Sequence, residues 1–407
     1  MDENKKTEIV KKIEALKDSP LYAMSLGGRE LYHSNFWVWL MEQDKQFIKV
    51  FFEKIENVER AEITREEGNR DITITIGNNV YVIENKLKSI ATKEQLKKYQ
   101  IKLGDKFARG ILTGISEDFD LSNDNDLKEN WHFLSYDTLC DNIGEVLKSS
   151  SIKDDFKKCV IHNYINDTRN ISALIKKIVP EKDNINTWDM RYIDSLSKKD
   201  MKLKLSDIRM DDLGKKKWAN LFAEKLKEDL ELNFEEEIKS GFTKKKYKLS
   251  IQSGFTNKQP LVEVFYRAID DKDDEDNLIG IQIQGTQYRR CFSESGDKAN
   301  LVTTFKLLLD KKWFAKRQDS GHGGQFNWIV DIKDSTVPYK TNQRKKPCKK
   351  GEKLDYCKYE PSFIYQYRTL QESEDENLKD GFSFKSIKES IEKDIKFAKE
   401  VLLRLGK

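Results

Sequence analysis

Asn69-Arg70-Asp71-Ile72-Thr73-Ile74-Thr75-Ile76-Gly77-Asn78-Asn79-Val80-Tyr81-Val82-Ile83-Glu84-Asn85-Lys86 carries the sharpest hydrophobic pattern in the chain. Ile72 to Ile76 alternate strictly, Val80 to Ile83 form a β-rich run, and Gly77-Asn78-Asn79 supplies turn formers between them, so the stretch predicts a β-hairpin. If Gly77-Asn78 is a two-residue loop, Ile76 faces Asn79, Thr75 faces Val80, and Asp71 falls directly opposite Glu84. Side chains alternate along a strand, so Lys86 projects from the same face as Glu84 while Asn85 points away. A four-residue loop would keep this parity; a three-residue loop would destroy it.

Upstream, Leu31, Phe36, Trp39, Leu40, Phe47, Val50 and Phe51 recur at helical spacing, which predicts one broken helix or two short ones over residues 29–55. A further strand is expected at Ala61 to Arg65. Downstream, Thr92 with Gln95 three residues later is a capping-box signature, opening a helix that carries Leu96, Tyr99 and Leu103. Strands near Gly110 to Thr113 and Trp131 to Ser135, then a helix from Asp137 to Leu147, complete a mixed α/β sheet domain over residues 1–150. Residues 151–238 show helical periodicity, including Trp218, Leu221, Phe222 and Leu226, and read as a helical linker layer. Residues 239–407 return to strands at Tyr247 to Ile251, Leu261 to Tyr266, Leu278 to Ile283, Phe326 to Ile332 and Phe363 to Tyr367. A second α/β domain is expected there, closed by a helix with a Ser386-x-x-Glu389 box and a stripe of Ile387, Ile391, Ile395, Ala398, Leu402 and Leu405 that ends at Gly406.

The 407 residues include 74 basic and 70 acidic side chains, 35% charged in all against 37% hydrophobic, which leaves enough apolar mass for two or three cores. The net charge of +4 is a small difference between large numbers, so a polyanion partner must be sought in local clusters. No apolar run approaches the roughly 18 to 20 residues of a membrane helix, and the opening Met1-Asp2-Glu3-Asn4-Lys5-Lys6 lacks a signal-peptide core. No membrane partner and a cytoplasmic location are the expectation. Cys140, Cys159, Cys291, Cys348 and Cys357 make no C-x-x-C pair and, with only four histidines, argue against structural zinc.

Chemistry concentrates on Asp71, Glu84 and Lys86. Directly paired positions hold their Cβ atoms about 4.5 to 5.5 Å apart, close enough for two carboxylates to share a hard cation such as Mg²⁺ (Mn²⁺ is the substitute). A lysine beside that cation can hold a water or an oxyanion, and the cation lowers the water's pKa, which is equipment for phosphodiester hydrolysis. In so charged a chain an Asp followed by Glu-x-Lys also arises by chance, and a solvated hairpin face is the plain alternative. Val80 and Val82 share the face of Glu84, however, and a carboxylate and an amine on an apolar strand need a reason to be there.

Asn69-Arg70-Asp71-Ile72-Thr73-Ile74, Val82-Ile83-Glu84-Asn85-Lys86 and Gln95-Leu96-Lys97-Lys98-Tyr99 together resemble the core of the PD-(D/E)XK nuclease superfamily. Glu30-Leu31-Tyr32-His33-Ser34 is similar to the first-helix segment of one of its prokaryotic branches. The likeness covers about residues 25 to 150, with four segments in the family's order, and Arg70 stands where the family name puts proline. The resemblance implies a mixed-sheet, restriction-endonuclease-like core and a metal-dependent nuclease. In it Asp71 and Glu84 ligate Mg²⁺ with the backbone carbonyl of Asn85, Lys86 orients or activates water, and Glu30 is an accessory acid for the metal. Gln95 and Tyr99 match a motif that positions nucleic acid. Each has an ordinary alternative: Glu30 as a surface glutamate, Gln95 as the capping partner of Thr92, Tyr99 as a helix aromatic. His33 reads as a hydrogen-bonded packing residue, and no Ser-His-Asp arrangement can be assembled.

Elsewhere, Gly321-His322-Gly323-Gly324 lacks the ending of a P-loop and reads as a turn, and the acidic run from Asp270 to Asp276 lacks the glycine of an EF-hand. Basic clusters occur at Lys244 to Lys246, Lys311 to Arg317 around Trp313, and Arg344 to Lys350. The second mixes aromatics with cations and is the candidate for gripping nucleic acid in the C-terminal half. The expected function is a Mg²⁺-dependent hydrolysis of phosphodiester bonds, in DNA by preference, in restriction or antiviral defence. The competing expectation is a catalytically inactive nuclease-fold module that binds or senses nucleic acid or protein. A homodimer or a protein partner through the C-terminal domain belongs to the same set of expectations.

Overall fold

The computed structural model of the chain describes residues 3–25, 30–87, 89–117, 121, 124–186, 188, 193, 196, 204–240, 245–269, 278–293, 314–316, 326–328, 340–341, 363–370 and 383–404. Two compact units divide it, residues 1–180 with 191–218 and residues 181–190 with 219–407.

The first unit opens with helices α1 (Glu3–Asp18) and α2 (Pro20–Ser25), then α3 (Glu30–Gln43), which is followed by a short 3₁₀ helix over Lys45–Val50. The break after Gln43 has a local cause: the Asp44 side chain accepts from the Gln46 N–H and starts a new turn. Five strands follow: β1 (Glu62–Arg65), β2 (Ile72–Ile76), β3 (Asn79–Lys86), β4 (Phe107–Gly114) and β5 (Trp131–Ser135), with α4 (Lys93–Leu103) between β3 and β4. They form one sheet in the order β1-β2-β3-β4-β5. The first two pairings are antiparallel and the last two parallel, so the sheet is mixed. Two helices complete the unit's core, α5 (Tyr136–Ser149) and α6 (Asp155–Ile178), and α7 (Asp211–Asp229) carries the division between the units.

The β2–β3 hairpin has the tight loop expected of it. Ile76 pairs with Asn79, Thr75 with Val80 and Ile72 with Ile83, and Gly77 adopts a φ of +61°, the positive value that the first central position of a two-residue turn favours. Central strand β3 is consequently buried on both faces. Toward α4, Val80 and Val82 pack with Ala91, Leu96, Tyr99, Leu112, Leu121, Leu127 and Trp131. Toward the other helices, a second core contains Trp37, Tyr136 and Tyr164, all fully buried, with Phe36 stacked on Tyr164 at 3.7 Å between ring centres.

The second unit is built on a seven-stranded antiparallel sheet in the order β13-β14-β10-β9-β8-β7-β6. Its strands are β6 (Glu237–Lys239), β7 (Lys246–Thr256), β8 (Gln259–Ala268), β9 (Leu278–Gln284), β10 (Gln287–Ser293), β13 (Lys340–Thr341) and β14 (Phe363–Thr369); β11 (Phe314–Lys316) and β12 (Phe326–Trp328) pair separately. Helix α8 (Phe384–Arg404) packs on β6, β8 and β9 through Ile387, Ile391, Ile395, Ala398 and Leu402, the expected stripe. It starts before the anticipated Ser386 box: the Ser386 N–H donates to the Ser383 hydroxyl, so Ser383 is the residue that caps the first turn. Leu405, Gly406, the glycine-rich segment 321–324, the acidic run 270–276, Trp313, Lys244 and the cluster 344–350 lie outside the described residues.

Between this helix and this sheet sits a buried ion pair. Arg290 donates from Nε and Nη2 to the two oxygens of Asp394 at 2.8 and 2.7 Å, and Tyr288 donates to Asp394 Oδ2 at 2.8 Å. Arg290 and Asp394 are 3% and 1% exposed, so removing the acid strands a buried cation. Asp394→Ala is expected to destabilise the second unit by about 3–5 kcal/mol, and an Arg290→Met, Asp394→Leu double substitution to recover most of that loss. Urea unfolding, with hydrogen exchange on peptides from β10 and α8, measures both.

Candidate active site

The last residues of β3 present two different chemistries to two faces of the sheet because a strand alternates. Glu84, only 2% exposed, and Lys86 lie on the α4 side, and Lys86 Nζ sits 2.8 Å from Glu84 Oε1. Asn85, 1% exposed, turns to the opposite side. Asp71 immediately precedes β2, one position beyond the Ile72–Ile83 pair, which is the register position opposite Glu84. Its Oδ2 accepts the backbone N–H of Asn85 at 2.7 Å. The hairpin therefore brings Asp71, Glu84 and Lys86 together, as its parity requires.

Helix α4 supplies the next layer. Thr92 Oγ1 accepts from the Gln95 N–H at 3.2 Å, which is one half of a capping box. The other half is not made: the Gln95 side chain instead donates from Nε2 to Glu84 Oε1 and to the Tyr99 hydroxyl, each at 2.7 Å. Tyr99 in turn donates to the carbonyl of Asn69 at 2.5 Å. One relay thus runs from the carboxylate of Glu84 through Gln95 and Tyr99 to the turn that delivers Asp71.

On the far face Asn85 uses its whole amide. Nδ2 donates to the Glu30 carbonyl at 2.8 Å and to the Ser34 hydroxyl at 3.2 Å, while Oδ1 accepts from Tyr136 at 2.5 Å and from Thr113 at 3.3 Å. Glu30 opens α3, and its Oε1 accepts from the backbone N–H of Ser89 at 2.6 Å and the Ser89 hydroxyl at 2.8 Å. His33 is 1% exposed and shares a 2.9 Å hydrogen bond with Tyr164, which also accepts from Trp37 Nε1 at 2.7 Å. It is a packing residue of the helical core. Ser89, Thr113 and Tyr136 were not anticipated from sequence, and Ser34 entered only as the end of the Glu30–Ser34 segment; the usable signal was Asn85 itself, a polar side chain assigned by parity to a buried face and hence in need of partners.

The electrostatics follow from crowding acids away from water. Burial, then the charge of Glu84, raises the pKa of Asp71 to about 7, with Glu30 adding to the rise and the Asn85 N–H and Lys86 opposing it. For Lys86 burial by itself would lower the pKa, but Glu84, Glu30 and Asp71 reverse this and hold it above the ordinary lysine value. Glu84 Oε2 is buried and has no hydrogen-bond partner among the described residues. An ionised oxygen in that state costs free energy unless a cation meets it. Among the described residues no group of three or more His, Cys, Asp and Glu side chains stands at metal-holding spacing. Two carboxylates and a backbone carbonyl are the smaller, all-oxygen donor set that suits Mg²⁺, which keeps several of its waters. Asp71 and the open oxygen of Glu84 are therefore the groups here that could hold a hard divalent ion.

Two measurements follow. A carboxyl whose pKa is raised on folding contributes stability below its unfolded value, and that contribution is lost as pH rises from about 4 through about 7. Asp71→Asn is expected to stabilise the metal-free protein at pH 8 by on the order of a few kcal/mol, with the gain vanishing near pH 4; Mg²⁺ is expected to raise the stability of the unsubstituted chain and not that of the variant. Thermal unfolding across pH, with Mg²⁺ and with EDTA, reads this out. Asn85→Ala leaves the hydroxyls and carbonyl around it unpaired in a dry site and is expected to cost about 2–4 kcal/mol in urea unfolding.

Comparison with curated proteins and with solved structures gives no match to the chain. The mixed five-stranded sheet flanked by helices is consistent with a restriction-endonuclease-like fold, and residues 20–166, which hold that sheet and every site residue described above, match the family model of the PD-(D/E)XK nuclease superfamily.

Proposed function

We propose that the first unit is a Mg²⁺-dependent nuclease that hydrolyses phosphodiester bonds, with DNA as its substrate. The observation that carries this reading is the convergence of Asp71, Glu84 and Lys86 on one end of the β2–β3 hairpin, with one oxygen of Glu84 buried and unpartnered among the described residues. Asp71, Glu84 and the Asn85 carbonyl would hold the cation, which when bound lowers the pKa of an attacking water and offsets charge on the phosphoryl oxygens. Lys86 commits one donor to Glu84 and has others to orient that water or a phosphoryl oxygen. Gln95 holds the Glu84 carboxylate, and Tyr99 holds the turn before Asp71. Glu30 is proposed as the accessory acid, its charge acting on both Asp71 and Lys86. By analogy with the family, the proposed setting is restriction or antiviral defence, a step that rests on fold and motif alone.

Purified protein is incubated with plasmid, linear and single-stranded DNA and with RNA, in Mg²⁺, Mn²⁺ or EDTA. Expected is metal-dependent scission, preferring DNA, that falls by on the order of a thousandfold or more in Asp71→Ala, Glu84→Ala and Lys86→Ala while each variant stays folded. Cleavage that persists in all three would remove this site. Salt-sensitive binding without scission would favour the competing reading of an inactive binding module.

A further inference from the structure

The turn that leads into Asp71 has an unusual backbone. Glu66, Gly68 and Asn69 all have positive φ, at 55°, 61° and 66°, and Tyr99 holds the Asn69 carbonyl. The glycine in the middle leaves a gap that two cations border. A Cβ built on Gly68 would lie 3.0 Å from Arg70 Nη1 and 3.1 Å from Lys102 Nζ, so these two nitrogens stand no more than about 6 Å apart. Arg70 is 6% exposed, and its Nε donates to Thr73 Oγ1 at 3.0 Å, which fixes the plane of the guanidinium. The one acid at ion-pair distance among the described residues is Glu67, at 4.0 Å from Nη2, and Glu67 is itself largely solvent-exposed and accepts from Thr64. Lys102 is exposed in the last turn of α4 and forms no ion pair among the described residues. Two like charges held this close repel, and an anion set between them removes the repulsion.

We infer that Arg70 and Lys102, over the space left by Gly68, form a subsite for a nucleic-acid backbone phosphate adjacent to the one that is hydrolysed. The inference rests on the nuclease reading above and adds a contact which that reading does not assign. Position supports it: Arg70 is the residue immediately before Asp71, and Lys102 lies three residues beyond Tyr99 on α4, so both cations branch from the elements that frame the two acids. A planar guanidinium fixed by a second bond suits two phosphate oxygens at once, and the mobile ammonium of Lys102 adds charge without demanding a fixed geometry. Arg70 also occupies the position of the proline in the family's name, so this subsite would be particular to chains that carry an arginine there.

The test is binding of DNA and RNA oligonucleotides by the full chain in Ca²⁺, where cleavage does not confuse the readout. Lys102→Ala, at an exposed position, is expected to weaken binding on the order of tenfold and to lower the slope of log affinity against log salt by about one. Oligonucleotides with a single uncharged methylphosphonate, walked along the strand, should lose affinity at one linkage beside the cleaved bond. Lys102→Ala and Arg70→Gln should both lose that sensitivity. Arg70→Gln also breaks the Thr73 bond, so the lysine variant decides if the arginine variant fails to fold. Unchanged affinity, slope and methylphosphonate pattern in Lys102→Ala, in a protein that still binds and cleaves, would overturn the subsite and leave the nuclease reading standing. Inorganic phosphate that protects the 66–70 turn from hydrogen exchange, with oligonucleotide binding indifferent to Lys102, would make it a free-anion site and would also overturn the proposal. A chain that neither binds nor cleaves any nucleic acid would remove both readings.

Discussion

The Gly77-Asn78 turn sets the register of the β2–β3 hairpin, and that register places every polar group of the site. Because a strand has a side-chain period of two, slipping the pairing by one residue would send Glu84 and Lys86 to the helical core and Asn85 to the α4 side. Both faces of β3 resist such a slip. Val80 and Val82 are buried on one side, and the Asn85 amide is saturated with hydrogen bonds on the other. The same pairing aims the Asn85 N–H at Asp71, so one peptide group ties the first acid of the site to the strand that carries the second.

The metal-free arrangement is electrostatically uneasy, and its compromises are visible. Glu84 is served on one oxygen by Lys86 and Gln95 and on the other by nothing among the described residues. Asp71 answers the same crowding by holding its proton more tightly than an ordinary aspartate. A hydrophobic replacement of these groups would relieve the fold, since buried charges with incomplete partners cost stability. Retaining them makes sense where a cation and an anionic substrate complete the charge balance, which is the logic of a site rather than of a core.

Much of the first unit was legible because its signals are local. Alternation from Ile72 to Ile76, the Gly-Asn turn and the β-branched run after it predict the hairpin, and β4, β5 and α5 fall where the apolar pattern puts them. The placement of Asp71 opposite Glu84 was legible for the same reason, since parity within a hairpin needs no tertiary information. What sequence missed is long-range. The Gln95 side chain satisfies its local cap pattern only halfway because Glu84 competes for it from another element. The partners of Asn85 come from α3, β4 and α5, up to 55 residues distant, and no spacing rule announces them. Helix α1 went unnamed although Ile9, Ile13 and Leu16 are fully buried, because lysines and glutamates crowd its other faces and dilute the stripe. In the second unit β7, β8, β9 and β14 were readable, but β10, which carries Arg290, was not, and the Arg290–Asp394 pair joins residues 104 apart and left no trace in the pattern.

Strands β3, β4 and β5 run parallel, so all three finish at the same rim of the sheet, the rim where Glu84 and Lys86 stand. Segments that leave this rim, beyond Lys86 and beyond Gly114, can lengthen or change character without disturbing the hairpin that positions the acids. The architecture thereby separates two mechanical roles: a registered turn holds the acids and the lysine in place, while the segments leaving the rim are not needed to hold them there.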